Sequence, residues 1–189
     1  MSKITNNLLV KGARGKLGNQ FVYKQRGDDT IIARMPSKNK DFVPTEGQEL
    51  ARDRFTMAAN YAKGAIENPE LKFEYDRKAP SGKTGYNLAF RDFLKAPVVK
   101  KIETGKYNGT PGSLIVISAK DDFRVIDVTV SIYSPTGELL ESGNAVMHQI
   151  NRNNWIYTAV QQNSSLIGST IVASAWDIPG NEGRLEMII

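Results

Sequence analysis

A single histidine, His148, and no cysteine stand in the 189 residues, and this limits the chemistry that side chains here could perform. A serine triad needs a general base, and His148 is the one candidate. It lies in the polar stretch His148-Gln149-Ile150-Asn151 after a predicted strand, with no nucleophile motif, and reads as a loop or strand-end histidine. The absence of cysteine removes thiolate nucleophiles, thiolate metal sites and disulfides together. Only oxygen ligands for a hard ion such as calcium remain, with Asp121, Asp122, Asp127 and Asp177 as donors. Their spacing is not that of an EF-hand. Aspartate favours turns through its own hydrogen bonding, so these four are read as turn-capping residues and no metal or cofactor is assigned.

Gly12-Ala13-Arg14-Gly15-Lys16 resembles a phosphate loop only superficially. Four residues are required between the glycines and are missing, and Leu17 stands where Ser or Thr would hold magnesium. Arg26-Gly27-Asp28 matches an adhesion tripeptide, but a tight hairpin turn explains a glycine flanked by polar residues. Trp155 and Trp176, the only tryptophans, fall inside predicted strands, so core packing is expected of them rather than sugar stacking. The expectation is a non-enzymatic chain with no catalytic residues and no evident small-molecule substrate.

The positive signal is a basic cluster: Lys11, Arg14, Lys16, Lys24, Arg26, Arg34, Lys38 and Lys40, with Phe21 and Tyr23 interleaved. Such groups can neutralise phosphates in a sequence-independent, salt-sensitive way. They can equally dock on an acidic protein surface, and Asp28, Asp29 and Asp41 break the patch, which places protein docking slightly ahead. Charge is divided along the chain. Residues 1–106 hold 21 Lys or Arg against 12 Asp or Glu (+9), and residues 107–189 hold 4 against 8 (−4), so the two segments face different partners or each other.

The elements that must position these residues follow from pattern. Gly12, Gly15 and Gly18 argue for a looped or extended arm. QFVYKQRGDDTIIARM reads as a β-hairpin turning at Arg-Gly-Asp-Asp. Thr45 and Gln48 have capping-box spacing for a helix running to about Ile66. Its apolar stripe is Ala51, Phe55, Ala58, Ala62 and Ile66, widened by Leu50, Met57 and Tyr61; its alanines suit a helix partner within the chain or a subunit contact, and packing inside the chain is expected ahead of the other. After a break at Asn68-Pro69, a second helix is marked by Tyr86, Phe90, Phe93 and Leu94.

Beyond the Asn108–Gly112 punctuation the period becomes two. Ile126, Val128, Val130 and Ile132 oppose Asp127, Thr129 and Ser131, and further strands are expected near 138–147, 154–160, 170–176 and 184–188. The predicted organisation is a basic arm and β-hairpin over 1–43, a helical region with two helices over 44–106, and an immunoglobulin-like β-sandwich of about seven strands over 107–189. Leu8-Leu9-Val10 is the only continuous apolar run near the N-terminus, far short of a signal-peptide core or membrane span. A cytoplasmic or virion-associated location is expected.

DVTVSIYSPTGELLESGNAV, NWIYTAV and IVASAWDIPGN resemble bacterial immunoglobulin-like or fibronectin-type modules. The shared positions are Trp155, Tyr157, Ala175, Asp177, Gly180 and Asn181. The resemblance covers about the last eighty residues and implies a module that adheres, spaces or decorates. GKLGNQFVYKQRGDDTIIARMP followed by PTEGQELARDRFTMAANYA is similar to uncharacterised bacterial proteins associated with phage-like regions. That similarity implies a structural component of a virion or phage-like particle, with the basic segment as an assembly arm, and transfers no functional residues. Expected partners are further copies of the chain or other assembly subunits; the alternative is nucleic acid bound through the basic segment.

Overall fold

The computed structural model describes residues 2–4 as backbone, then 7–37 and 42–189. It is a mostly-β protein with three antiparallel sheets and three helices in mid-chain. The chain forms two compact units, Met1–Glu46 and Gly47–Ile189.

The first unit is one four-stranded sheet. β3 (Phe21–Arg26) and β4 (Asp29–Arg34) form the expected hairpin, flanked by β2 (Gly15–Leu17) on β3 and β1 (Ser2–Ile4) on β4. Gly27 has φ +63° and Asp28 is not in the left-handed region, the pattern of a two-residue turn with glycine first. The arm therefore supplies both edge strands rather than an independent extension. Thr30 is buried, and its Oγ1 accepts the Gly12 N–H at 3.0 Å and lies 2.9 Å from the Gln25 amide, tying the loop before β2 to the hairpin.

α1 (Glu46–Glu67) begins directly after Thr45 and belongs to the second unit from Gly47 onward. Only its C-terminal half is buried, through Ala58, Ala62 and Ala65, while Leu50, Phe55 and Met57 are exposed. The stripe expected to pack throughout is thus only partly covered, Phe55 meeting the Phe90 ring edge-on at 4.8 Å while staying largely exposed. Three helices follow from the sequence rather than two. Asn68-Pro69 is a start signal, because Asn68 Oδ1 accepts from Glu70 N (3.0 Å) and Leu71 N (3.2 Å) and proline at the first helical position needs no N–H partner. The helix it begins, α2 (Pro69–Lys78), keeps Glu70 in its first turn and Arg77 and Lys78 in its last, as the helix dipole favours. α3 (Gly85–Leu94) is capped by Thr84.

Eight strands complete this unit. β5 (Val98–Lys106), β6 (Leu114–Lys120), β10 (Asn154–Thr158) and β9 (Val146–Met147) form one sheet in that order. β12 (Glu182–Ile188), β11 (Thr170–Asp177), β7 (Val125–Tyr133) and β8 (Leu139–Asn144) form the other. β5 precedes the glycine-proline punctuation yet is a ladder partner of β6.

Alternation puts Ile115 and Ile117, Val128, Val130 and Ile132, Trp155 and Tyr157, and Ile171, Ala173 and Ala175 into one core shared by both sheets. Ile126, on the same alternation, is exposed at the start of β7. A second apolar cluster joins the helices to the strand ends. Ala62, Ala65, Tyr75, Leu88 and Ala89 pack with Phe123, from the β6–β7 connection, and with Ile178, just beyond β11.

Candidate functional site

Two groups of side chains carry the charge that a partner could read, one in each unit. In the N-terminal sheet the register decides which cations act together. Lys16 pairs with Val22, Lys24 with Ile31 and Arg26 with Asp29, so Lys16, Lys24 and Arg26 share one face with Asp29 among them. Leu17, Phe21, Tyr23, Ile32 and Arg34 occupy the other face. The aromatics interleaved with the basic residues in sequence are therefore on the opposite side from three of the cations. Lys11 and Arg14 are exposed in the loop before β2, and all six of these Lys and Arg residues are exposed. Lys38 and Lys40 lie outside the described residues.

The second group lies where the helices meet the strand ends. Asp92 on α3, Asp121 after β6 and Asp177 at the end of β11 bring carboxylate oxygens within 4.8 Å of one another. Each is held by its own local structure. A register shift between Trp176 and Asp177 bends β11 at the point where Asp177 enters the cluster. Asp177 Oδ1 accepts from Asn181 N (2.6 Å) and its Oδ2 from Asn181 Nδ2 (2.7 Å), while the same amide also donates to the Asp92 carbonyl at 3.2 Å. Asp121 Oδ2 caps the following turn, accepting from Phe123 N (2.9 Å) and Arg124 N (3.0 Å). Asp92 Oδ2 accepts from the Tyr75 hydroxyl at 2.7 Å, and that hydroxyl is 2.9 Å from the hydroxyl of Tyr61.

Asp92 is fully buried, and among the described residues neither its Oδ1 nor Asp121 Oδ1 has a donor, although the two carboxyl groups are close enough to share a proton. Burial pushes the Asp92 carboxyl up to about 8, helped by the neighbouring Asp121 and Asp177. Burial likewise raises Asp177 against the lowering effect of Asn181. Tyr75 is raised far above the usual phenol range by burial and by its contacts with Tyr61 and Asp92.

Of the four aspartates considered as oxygen donors from sequence, Asp121 and Asp177 come together and the others do not. Asp122 pairs with Arg91 at 3.2 Å and Lys95 at 3.0 Å, and Asp127 accepts from the N–H of Val128. Both clustered residues also cap turns, as expected. The third member, Asp92, was not singled out by sequence reasoning. Its signal was a charged residue four positions after Leu88 on the apolar stripe of a short helix.

His148 follows β9, where its Nδ1 accepts from Ile150 N (3.2 Å) and Asn151 N (3.1 Å), a turn-capping arrangement. Trp155 is buried in the shared core and Trp176 is half-buried. Among the described residues no helix is long and apolar enough to cross a membrane. No protein family, curated protein or solved structure matches the chain.

Proposed function

We propose that the chain is a non-enzymatic structural or assembly subunit, of a virion or phage-like particle, whose C-terminal region is an immunoglobulin-like interaction module. The observation that carries the assembly reading is an apolar pair on the N-terminal sheet. Leu17 and Phe21 are direct cross-strand partners, 57% and 41% exposed. On α1, Leu50 and Met57 are 59% and 57% exposed on turns whose stripe continues into buried alanines further along. Large side chains grouped in this way mark interaction surfaces rather than scattered surface residues.

The order of the sandwich strands supports the module reading. Naming β5 to β8 as A, B, C and C′, and β9 to β12 as D, E, F and G, gives sheets A-B-E-D and G-F-C-C′, the arrangement of immunoglobulin-type sandwiches with one added edge strand. Such modules form contacts in many settings, which suits a spacer or decoration attached to an assembly unit.

The test is sedimentation and light scattering of nucleic-acid-free protein over a range of salt, with microscopy of any large species. The expected result is a discrete oligomer or a ring or tube. Leu17→Glu and Leu50→Glu each return it to the 20.9 kDa monomer while the thermal midpoint stays within a degree or so, since exposed substitutions typically change stability by about 0.5 kcal/mol or less. A wild-type monomer at the highest soluble concentration overturns assembly.

The second reading is nucleic-acid association, favoured by the common face of Lys16, Lys24 and Arg26. It requires DNA or RNA affinity that falls steeply with salt and is lost in Arg14→Glu with Lys16→Glu. The aromatics on the opposite face weaken it, because single-strand binding uses stacking and phosphate contacts along one groove. Binding of a duplex unaffected by that double charge reversal removes it.

A further inference from the structure

We propose that Asp92, Asp121 and Asp177 form a binding site for a hard divalent cation, calcium foremost, where α3 meets the β6–β7 connection and the end of β11. Their oxygens lie within 4.8 Å of one another. Calcium–oxygen bonds of about 2.3–2.6 Å place ligands across one ion about 5 Å apart, so the spacing suits a common ion.

The observation that points to an occupant is the state of Asp92. Its side chain is fully buried and lies beside the other two carboxylates, Oδ2 accepts from Tyr75, and among the described residues Oδ1 has no donor. Asp121 Oδ1 is in the same condition. The buried acid of β8, Glu141, is different, because its Oε2 accepts from Val160 N (2.8 Å) and Gln161 N (3.0 Å). Unmet acceptors of this kind are costly in a protein interior. The neighbouring cations are engaged elsewhere: Arg91 and Lys95 with Asp122, Arg124 with Glu74, and Lys78, which also feels the Asp121 charge, with the Phe123 carbonyl at 2.7 Å. Among the described residues no Lys or Arg forms an ion pair with any of the three aspartates.

One proton shared between the Asp92 and Asp121 carboxyls, which are side-chain neighbours, would meet both acceptors but leave two carboxylate charges with only Lys78 nearby, its ammonium already bound to the Phe123 carbonyl; a divalent cation answers both deficits. The ligands are also held from behind, as ligating carboxylates are in metal sites. Tyr75 holds Asp92, the Phe123 and Arg124 N–H groups hold Asp121, and Asn181 holds Asp177. With no imidazole or thiolate among the ligands, the set favours calcium, magnesium or manganese over softer ions. Asp121 is only half-buried, which leaves a side for entry and for water to complete the shell.

The test uses full-length protein stripped with chelator and titrated with terbium(III), a luminescent calcium substitute, under tyrosine excitation. Tyr75 touches a ligand, so saturable sensitised emission is expected, displaced by calcium chloride, together with a calcium-dependent rise in thermal midpoint. Asp121→Asn retains a turn-capping oxygen; it weakens binding at least about tenfold and leaves the metal-free midpoint unchanged or higher. Asp177→Asn gives the same loss and serves if the first variant does not fold. The proposal is overturned if stripped wild-type protein shows no emission and no midpoint change with calcium, magnesium or manganese chloride, the two oxygens then sharing a proton. It is equally overturned if both variants bind as tightly as wild type.

Discussion

Gly183→Ala is expected to lower the thermal midpoint by about 10 °C. Gly183 lies on β12, at the edge of one sheet, and a Cβ added there would land on the carbonyl oxygen of Pro97, immediately before β5 at the edge of the other. The obstruction is backbone, which has no alternative rotamer, so a strand must move. Overpacking usually costs about 1–3 kcal/mol and more where nothing can yield. For a unit of this size each kcal/mol is worth about 2–4 °C, so a loss of about 3 kcal/mol or more gives the stated shift. Differential scanning calorimetry of the variant beside Gly180→Ala, where a Cβ meets open space but φ is +90°, separates close approach from backbone strain. A Gly183→Ala protein melting within 2–3 °C of wild type, roughly what 1 kcal/mol produces, would show that the two edges do not meet so closely.

Tyr75→Ala should be the more damaging change, costing about 3–5 kcal/mol in urea unfolding. The ring is fully buried and stacked on Phe123 with centroids 3.9 Å apart and planes inclined by 22°. Among the described residues, its hydroxyl is also the donor to the Asp92 carboxylate. Truncation opens a cavity and leaves both Asp92 oxygens without donors. Tyr75→Phe separates these effects, because it preserves packing and removes only the hydroxyl with its bonds to Asp92 and Tyr61, for an expected loss of about 1–3 kcal/mol. If the alanine variant loses no more than the phenylalanine variant, the stacking on Phe123 contributes nothing to stability and the account of the second apolar cluster fails.

Local signals in the sequence were strong where one physical cause dominates. The glycine turn at 27, the alternation at Val128, Val130 and Ile132, and the helix starting after Thr45 each depend on neighbours within a few residues; the strands near 154–160, 170–176 and 184–188 lie close to their expected places, whereas the stretch expected near 138–147 divides into β8 and β9 on different sheets. α2 was not read because its ten residues, PELKFEYDRK, bury only Tyr75 and offer too few apolar positions for periodicity. The informative feature was Asn68-Pro69, which can end one helix or begin the next. β5 was obscured by two register shifts, which interrupt the alternation that marks a strand.

The acidic cluster was legible only in part. Asp121 and Asp177 belong to turns and were visible as oxygen donors, but their approach to Asp92 is a property of tertiary packing between a helix and two strand ends. The basic cluster shows the reverse case. Its residue types were plain, yet pairing Lys24 with Ile31 and Tyr23 with Ile32 sorts neighbours in sequence onto opposite faces. Composition alone cannot reveal that division.

The participation of Phe123 and Ile178 in the helical cluster bears on the order in which the chain can mature. The helices are synthesised first, but two of the side chains that cover Tyr75, Leu88 and their neighbours arrive later, the last from just beyond β11. Until residue 178 has left the ribosome, the helices present an uncovered apolar side to whatever is near. Residues 47–189 should accordingly acquire protection from hydrogen exchange in one late step, with α2 and α3 protected together with β11 instead of ahead of it.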